Sequence, residues 1–455
     1  MSFLTEFALQ TSQDQTRESI KELILKLLTK CLFPSLLICT GLFFSGCSKN
    51  GRAASRTVYQ QNRIVIWTSC REFAQYIELF NSQHKDNCAI LVYKENPALS
   101  LPPAKDENPP DIIVGSWLRT DTPQKNFKSL EYLFDTKKLT SDIFYPQLLE
   151  SGKRKDEHYL LPVSFNLPAI IFAADNKELI PDSYVLSLKQ IRETASAFNT
   201  KNKKDIYTRI GFTPLGNNDF LYLVAKMKGT NFRGEKGDIV FKNQGLLDAV
   251  NFLNEWVNGD NTSAQMEEDF TFKYLFMPYY RQVSSGRTLF AYTTSDKLFK
   301  TLNEQDLEID YRWLVEDKKI FIEDSDTMMG IYKKAQNQVG ATEFIAWFFQ
   351  SENQRKILDS KEKMNLETDL FGIAGGFSSL RDVTEHILPV YYNQLLTNLP
   401  PDEMLTVPQQ LPARWESYRT LVVEPYIKDS ITTSKESPAP VFQDYEKEWR
   451  KKVFD

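Results

Sequence analysis

Two hydrophobic rhythms alternate along this chain. Short apolar runs of strand length, Arg63–Trp67, Ala89–Tyr93 and Asp111–Gly115, flank a stretch in which Phe73, Ile77 and Phe80 recur at helical spacing. The pattern predicts three strands and a helix over Arg71–Gln83. Thr68-Ser69 stands just ahead of that helix, and Glu72 follows Ser69 by three residues, the spacing of a capping box. Leu99–Pro110 reads as a proline-rich loop. The β-α-β-β order is that of an open α/β sheet, whose ligands gather beyond the carboxyl ends of the strands. Thr68-Ser69 and Ser116-Trp117 both occupy that rim.

Further on, Leu160–Asp175 joins two apolar runs through Pro162 and Pro168, which fix φ and remove backbone donors. Two prolines around Ser164-Phe165-Asn166 make a poor central strand and a good connector. The segment is read as a crossover between two α/β lobes, with Ile170–Ala174 as a buried strand and a ligand cleft above it. Beyond it, Ile206–Thr213 reads as a strand, Asn217–Lys228 as a helix opened by Asn217-Asn218-Asp219, and Leu246–Val257 as another helix. Ala341–Leu358 reads as one long amphipathic helix. Pro412–Ile427 and Val441–Val453 read as closing helices joined by the loop Thr432–Pro440.

The N-terminus follows neither rhythm. Cys31–Phe44 is an uncharged apolar run preceded by Lys21, Lys26 and Lys30, too short to span a bilayer comfortably. It ends in Ser45-Gly46-Cys47, which resembles a bacterial lipobox, with Phe44 where that motif usually has Leu. The alternative is a buried N-terminal helix. Ser48–Asn62 is polar without periodicity and reads as a tether. Of five cysteines, Cys31 and Cys39 would leave with the leader and Cys47 would carry lipid. Cys70 and Cys88 stand at opposite ends of the expected helix, roughly 20 Å apart at 1.5 Å per residue. That is too far for a disulfide.

At 455 residues the chain is long enough for two or three domains or one two-lobed body, and its net charge of −5 gives no footprint for nucleic acid. The three histidines, His84, His158 and His386, are scattered, and no nucleophile elbow, zinc helix or phosphate loop appears. Glu323-Asp-Ser-Asp326 lacks the Gly and distal Glu of a calcium loop and reads as solvated. Cys70 sits at a helix start, where the dipole lowers a thiol pKa. No cofactor or metal is implied.

Taken in order, Ile64–Ser69, Phe73…Ile77…Phe80-Asn81 and Pro110–Gly115 resemble the opening of the extracellular solute-binding proteins of ABC transporters, in the maltose and multi-sugar branch. Leu160–Val163 is similar to that family's hinge-crossing strand. Phe276…Ser285–Tyr292, then Thr327–Asn337 and Ala341–Gln354, resemble its later motifs. The resemblance covers about residues 63–450 and implies an α/β, two-lobed periplasmic-binding-protein-like fold of type II. The segments then divide as leader 1–46, tether 47–62, first lobe 63–163, second lobe 164–307, return to the first lobe 308–352 and second-lobe helices 353–455. It implies a membrane-anchored, exported monomer that is no enzyme and hands a sugar or polyol to permease subunits. Another small solute, or a chemosensory or adhesion role, is the alternative.

Resemblance and rim position together nominate ligand-binding residues. On the first lobe these are Thr68, Ser69, Ser116 and Trp117, with Asn166 in the crossover. On the second they are Asn217, Asn218, Asp219, Phe220, Tyr292, Thr293 and Asp296, the last where the family often has Trp, and then Arg414 and Trp415. Each has a plainer role: a cap for Thr68-Ser69 and Asn217, core for Trp117, helix packing for Arg414 and Trp415. Asn, Asp and Ser meet hydroxyls while aromatic rings cover apolar faces, a mixture suited to carbohydrate. For the leader, Cys47→Ala should remove an acyl mass in intact-mass spectrometry and release the protein from membranes; an unchanged mass and membrane fraction would reject lipidation.

Overall fold

Two sheets carry the body. The computed structural model describes residues 62–454 apart from 236–237, 306, 364–369 and 435. The leader, tether and Cys47 therefore lie outside the described residues. In chain order the principal strands are β1 (Arg63–Thr68), β2 (Cys88–Tyr93), β3 (Ile112–Gly115), β4 (Leu161–Phe165), β5 (Pro168–Ala173), β6 (Val185–Ser187), β7 (Ala291–Thr294), β8 (Ile309–Val315), β9 (Thr327–Ile331) and β10 (Phe377–Ser378). The first sheet runs β10-β4-β9-β3-β1-β2, and the second β7-β5-β8-β6. β1 is parallel to β2 and β3, whereas β9 enters antiparallel between β3 and β4. This is the expected mixed α/β architecture.

The crossover after Leu160 is as expected, yet its prolines sit inside strands. β4 and β5 are both fully buried, joined by Asn166-Leu167 alone. Pro162 is accommodated at an irregularity in the β9 pairing, and Pro168 opens β5, two places where a missing N–H costs least. β5 is buried on both faces, which explains its unbroken apolar run. Ala169, Ile171 and Ala173 face a core shared with the first sheet, while Ile170 and Phe172 face a second core. β8 alternates likewise, with Tyr311, Trp313 and Val315 toward the shared core and Leu314 toward the other. Trp313 and Phe377 meet across the two sheets at 5.8 Å.

Segment limits differ from expectation after residue 308. β8 belongs to the second sheet, so the return to the first begins at β9. The first lobe then keeps β10 and the core residues through Leu405, and the second core resumes at Leu411. The long helix over Ala341–Leu358 is two, Gln338–Phe348 and Ser351–Lys363. Ile206–Thr213 gives only a short strand, Tyr207–Arg209.

The expected capping box is absent as well. Thr68 Oγ1 accepts from Cys70 N, and Glu72 turns inward to pair with Lys361 and accept from Tyr76 Oη at 3.1 Å. Cys70 and Cys88 are free thiols. Burial and the Glu72 charge push the Cys70 thiol up to about 12, opposite to the helix-dipole expectation. Of these two thiols the exposed Cys88 should therefore be alkylated faster in native protein than the half-buried Cys70, with the difference lost on unfolding; equal rates at both in the native state would contradict this.

Glu267 supplies a second check. Its carboxylate is fully buried and accepts from Asn261 Nδ2 at 2.6 Å and Leu215 N at 3.2 Å. Burial outweighs both bonds and raises its pKa to about 8 from 4.5. The folded state thus holds a proton that the unfolded state has released. Stability should fall by about 1.4 kcal/mol per pH unit as pH rises from the unfolded to the folded pKa, and level off above it. Glu267→Gln should flatten that slope in denaturant titrations across this window; an unchanged slope would refute the assignment.

Candidate binding site

The first sheet's rim is shaped by one residue with unusual backbone. Trp117 follows β3 with φ at 65°, a left-handed conformation uncommon for a bulky side chain. Thr120 locks the turn, donating from N (3.2 Å) and Oγ1 (2.8 Å) to Trp117 O. The half-buried indole packs against apolar residues of both the first rim and the second lobe. It lines a cavity of about 290 Å³.

Asn166, between β4 and β5, lies at the floor of this cavity. Its Nδ2 donates to Gly375 O at 2.9 Å, and its Oδ1 accepts from Ser295 Oγ at 2.6 Å. From the end of β7 come Thr294, Asp296 and Lys297. Asp219 comes from the first turn of the helix Asn218–Met227, which Asn217 caps by accepting from Phe220 N at 3.2 Å. Arg419 pairs with both Asp219 and Glu424, and its guanidinium lies 4.5 Å from the Tyr222 ring. Glu416 and Thr420 complete that wall.

Glu323 and Ser325 enter from the crossover between β8 and β9, where solvated loop was expected. Glu323-Asp-Ser-Asp326 instead alternates. Glu323 and Ser325 line the cavity, while Asp324 and Asp326 are both 2% exposed and turn away from it. Asp324 accepts from Lys226 Nζ (2.6 Å), Tyr222 Oη (2.5 Å) and Trp415 Nε1 (3.1 Å). Asp326 pairs with Arg119 at 2.8 Å, and Arg119 also donates to the backbone carbonyls of Asp324 and Gln409. Burial alone would raise Asp324; Lys226 and Arg119, with the bonds to it, hold it well below the usual carboxylate range. Burial raises Glu323, with Lys226 and Arg419 opposing. Glu323 accepts from Tyr292 Oη at 3.1 Å.

Of the nominated residues, the structure brings Trp117, Asn166, Asp219 and Asp296 to one cavity. Ser116 stands beside it, donating to Ser325 O at 2.8 Å. Thr68, Phe220 and Trp415 present no free surface, because the first closes a strand end and the other two fill cores. Tyr292 and Thr293 are buried behind the wall, with Thr293 Oγ1 bonded to Tyr279 Oη. Ser69, Asn217 and Asn218 do not line the cavity. Arg414 is exposed, in left-handed backbone, and reaches Val453 O. Sequence reasoning missed Glu323, Ser325, Lys297, Glu416, Arg419 and Thr420. Glu323–Asp326 is polar at every position, so no local pattern marked the first two. Arg419, four residues after Trp415, is one helical turn further along.

No protein-family model matches the chain, and no curated protein does. Solved structures do match. A maltose-binding periplasmic protein from Listeria monocytogenes in complex with maltose superposes at TM-score 0.58 and 14% identity, covering 87% of this chain and 98% of its own. An ABC substrate-binding protein from the same organism in complex with cycloalternan gives 0.58 and 12%, covering 86% and 99%. UgpB from Mycobacterium tuberculosis in complex with glycerophosphocholine gives 0.57 and 14%, covering 85% and 97%. The chain has a type II periplasmic-binding-protein fold. At such identities the likeness establishes this fold, with its two lobes and the crossovers between them.

The buried charges make a stability prediction. Lys226→Met leaves Asp324 without its closest cation and should cost roughly 3–5 kcal/mol, whereas Lys226→Met with Asp324→Leu should recover most of it. Urea titrations of the two variants decide this; equal losses in both would show that the pair is not the source.

Proposed function

We propose that this protein is the solute-binding component of an ABC importer, taking a carbohydrate or polyol between its lobes and delivering it to permease subunits as an exported, lipid-anchored monomer. The observation that carries the reading is the Trp117 ring beside a cavity lined by carboxylates, an amide and hydroxyls. Such a surface covers the C–H face of a sugar and meets its hydroxyls from the sides. The volume lies near the lower end of the roughly 300–1,000 Å³ of small-molecule pockets and suits a short saccharide. Neighbours of the same fold that hold maltose and cycloalternan support this reading.

One observation favours a second solute class. Asp219, Asp296, Glu323 and Glu416 line the cavity against two cations, Lys297 and Arg419, both already within reach of Asp219. That balance suits an amine-bearing or cationic solute. A thermal-shift screen should therefore pair neutral oligosaccharides with amino sugars and quaternary amines. A true ligand at a hundredfold excess over Kd should add about 2.7 kcal/mol of stability. Neutral sugars alone shifting the transition would settle for the first class, and no shift from any of them would reject the proposal.

For a ligand so found, Trp117→Ala should weaken binding by roughly 1.5–3 kcal/mol, about one to two decades in Kd. Unchanged affinity with a large fall in melting temperature would make Trp117 structural instead.

A further inference from the structure

Three exposed large apolar side chains cluster within five residues that do not line the cleft cavity. At the end of the helix Ala264–Lys273 and just beyond it, Phe272 is 77% exposed, Leu275 59% and Phe276 96%. Two tight turns, Leu275 N to Phe272 O (3.2 Å) and Met277 N to Tyr274 O (2.8 Å), hold them in one knuckle. Beside it opens a cavity of about 620 Å³, larger than the one at Trp117. Its lining includes Lys273, Phe276, Met277, Arg281, Ser284 and Ser285, and no carboxylate. Lys273 and Arg287 flank the Tyr274 ring at 5.2 and 5.6 Å. Among the described residues, none of Lys273, Arg281 and Arg287 has a carboxylate partner. The exposed acids nearest in sequence, Glu268 and Asp269, lie one helical turn back, where Asp269 accepts from Gln265 Nε2 at 2.9 Å.

We propose that this knuckle is a membrane-contact surface, Phe272, Leu275 and Phe276 entering the headgroup–acyl boundary while Lys273, Arg281 and the Ser284-Ser285 hydroxyls receive the phosphate of an anionic phospholipid. Three exposed apolar side chains in five residues are costly in water and have no core to join. Cations and hydroxyls around them match an interface in which acyl chains lie beneath negative phosphates. A cavity lined by Lys273 and Arg281 with no carboxylate favours an anionic over a zwitterionic surface. The fifteen-residue tether expected after Cys47 spans at most about 50 Å, which would keep the body within reach of the bilayer. The proposal does not depend on the identity of the solute.

The test compares the full chain with its Phe272→Ser/Phe276→Ser variant, so that any contribution of the leader cancels. Flotation is measured with phosphatidylcholine vesicles with and without phosphatidylglycerol, and hydrogen exchange is followed over residues 270–286. Wild type should partition preferentially to the anionic vesicles, lose that preference at high salt, and show protection of 270–286 on binding. The variant, unchanged in melting temperature because both residues are exposed, should partition about tenfold more weakly or worse. Equal partitioning of the two proteins, or vesicle binding without protection of 270–286, would overturn the proposal. So would a knuckle-dependent dimer without vesicles, or protection that appears only when the membrane contains a partner protein.

Discussion

Asp324 is the residue through which the two lobes are fastened. It sits on a chain segment passing from the second sheet to the first, fully enclosed, and takes donors from Lys226, Tyr222 and Trp415, all on helices of the second lobe. Arg119, just beyond β3 of the first lobe, bonds the carbonyl of that same Asp324, the carboxylate of Asp326 and the carbonyl of Gln409 on the next crossover. Two cations and two anions are thus paired in a buried interior. Such a cluster contributes little net stability over apolar packing, but leaving any member alone is costly. It therefore specifies where the crossovers run more than how tightly they are held.

That position has a consequence for the cleft. Residues 324 and 325 form a turn just ahead of β9. Asp324 and Asp326 are held inward by Lys226 and Arg119, and Glu323 and Ser325 line the cavity. Ser325 O in turn receives Ser116, next to Trp117, which links the strained rim of the first lobe to the same segment. Cavity-facing groups and interlobe fastening are alternate residues of one strip of chain. Any rotation of one lobe against the other would move both together.

Much of this was legible from residue patterns. Strand runs and helical spacing located β1, β2, β3 and β5 and the helix capped by Asn217, because each has its own local signal. Rim position nominated Trp117, the crossover Asn166, and the family resemblance Asp219 and Asp296; the fold brings these four to one cavity. What failed had no local signal. Glu323–Asp326 looks solvated because its cations, Arg119 and Lys226, stand about 100 to 200 residues away in sequence. Glu72 looked like a cap because its partner Lys361 is equally remote. Trp415 looked like a stacking surface, yet long-range packing against Tyr222 and Phe232 encloses it. Ion pairs of distant residues are created by the fold, and only the fold displays them.

Held this way, the buried charges around Asp324 set the disposition of the lobes. Small-angle X-ray scattering of the wild type and of Asp324→Asn, in the absence of ligand, tests it most directly. The account predicts a larger radius of gyration and a broader distance distribution for the variant, with far-UV circular dichroism unchanged. Superimposable scattering curves from two equally folded proteins would contradict it.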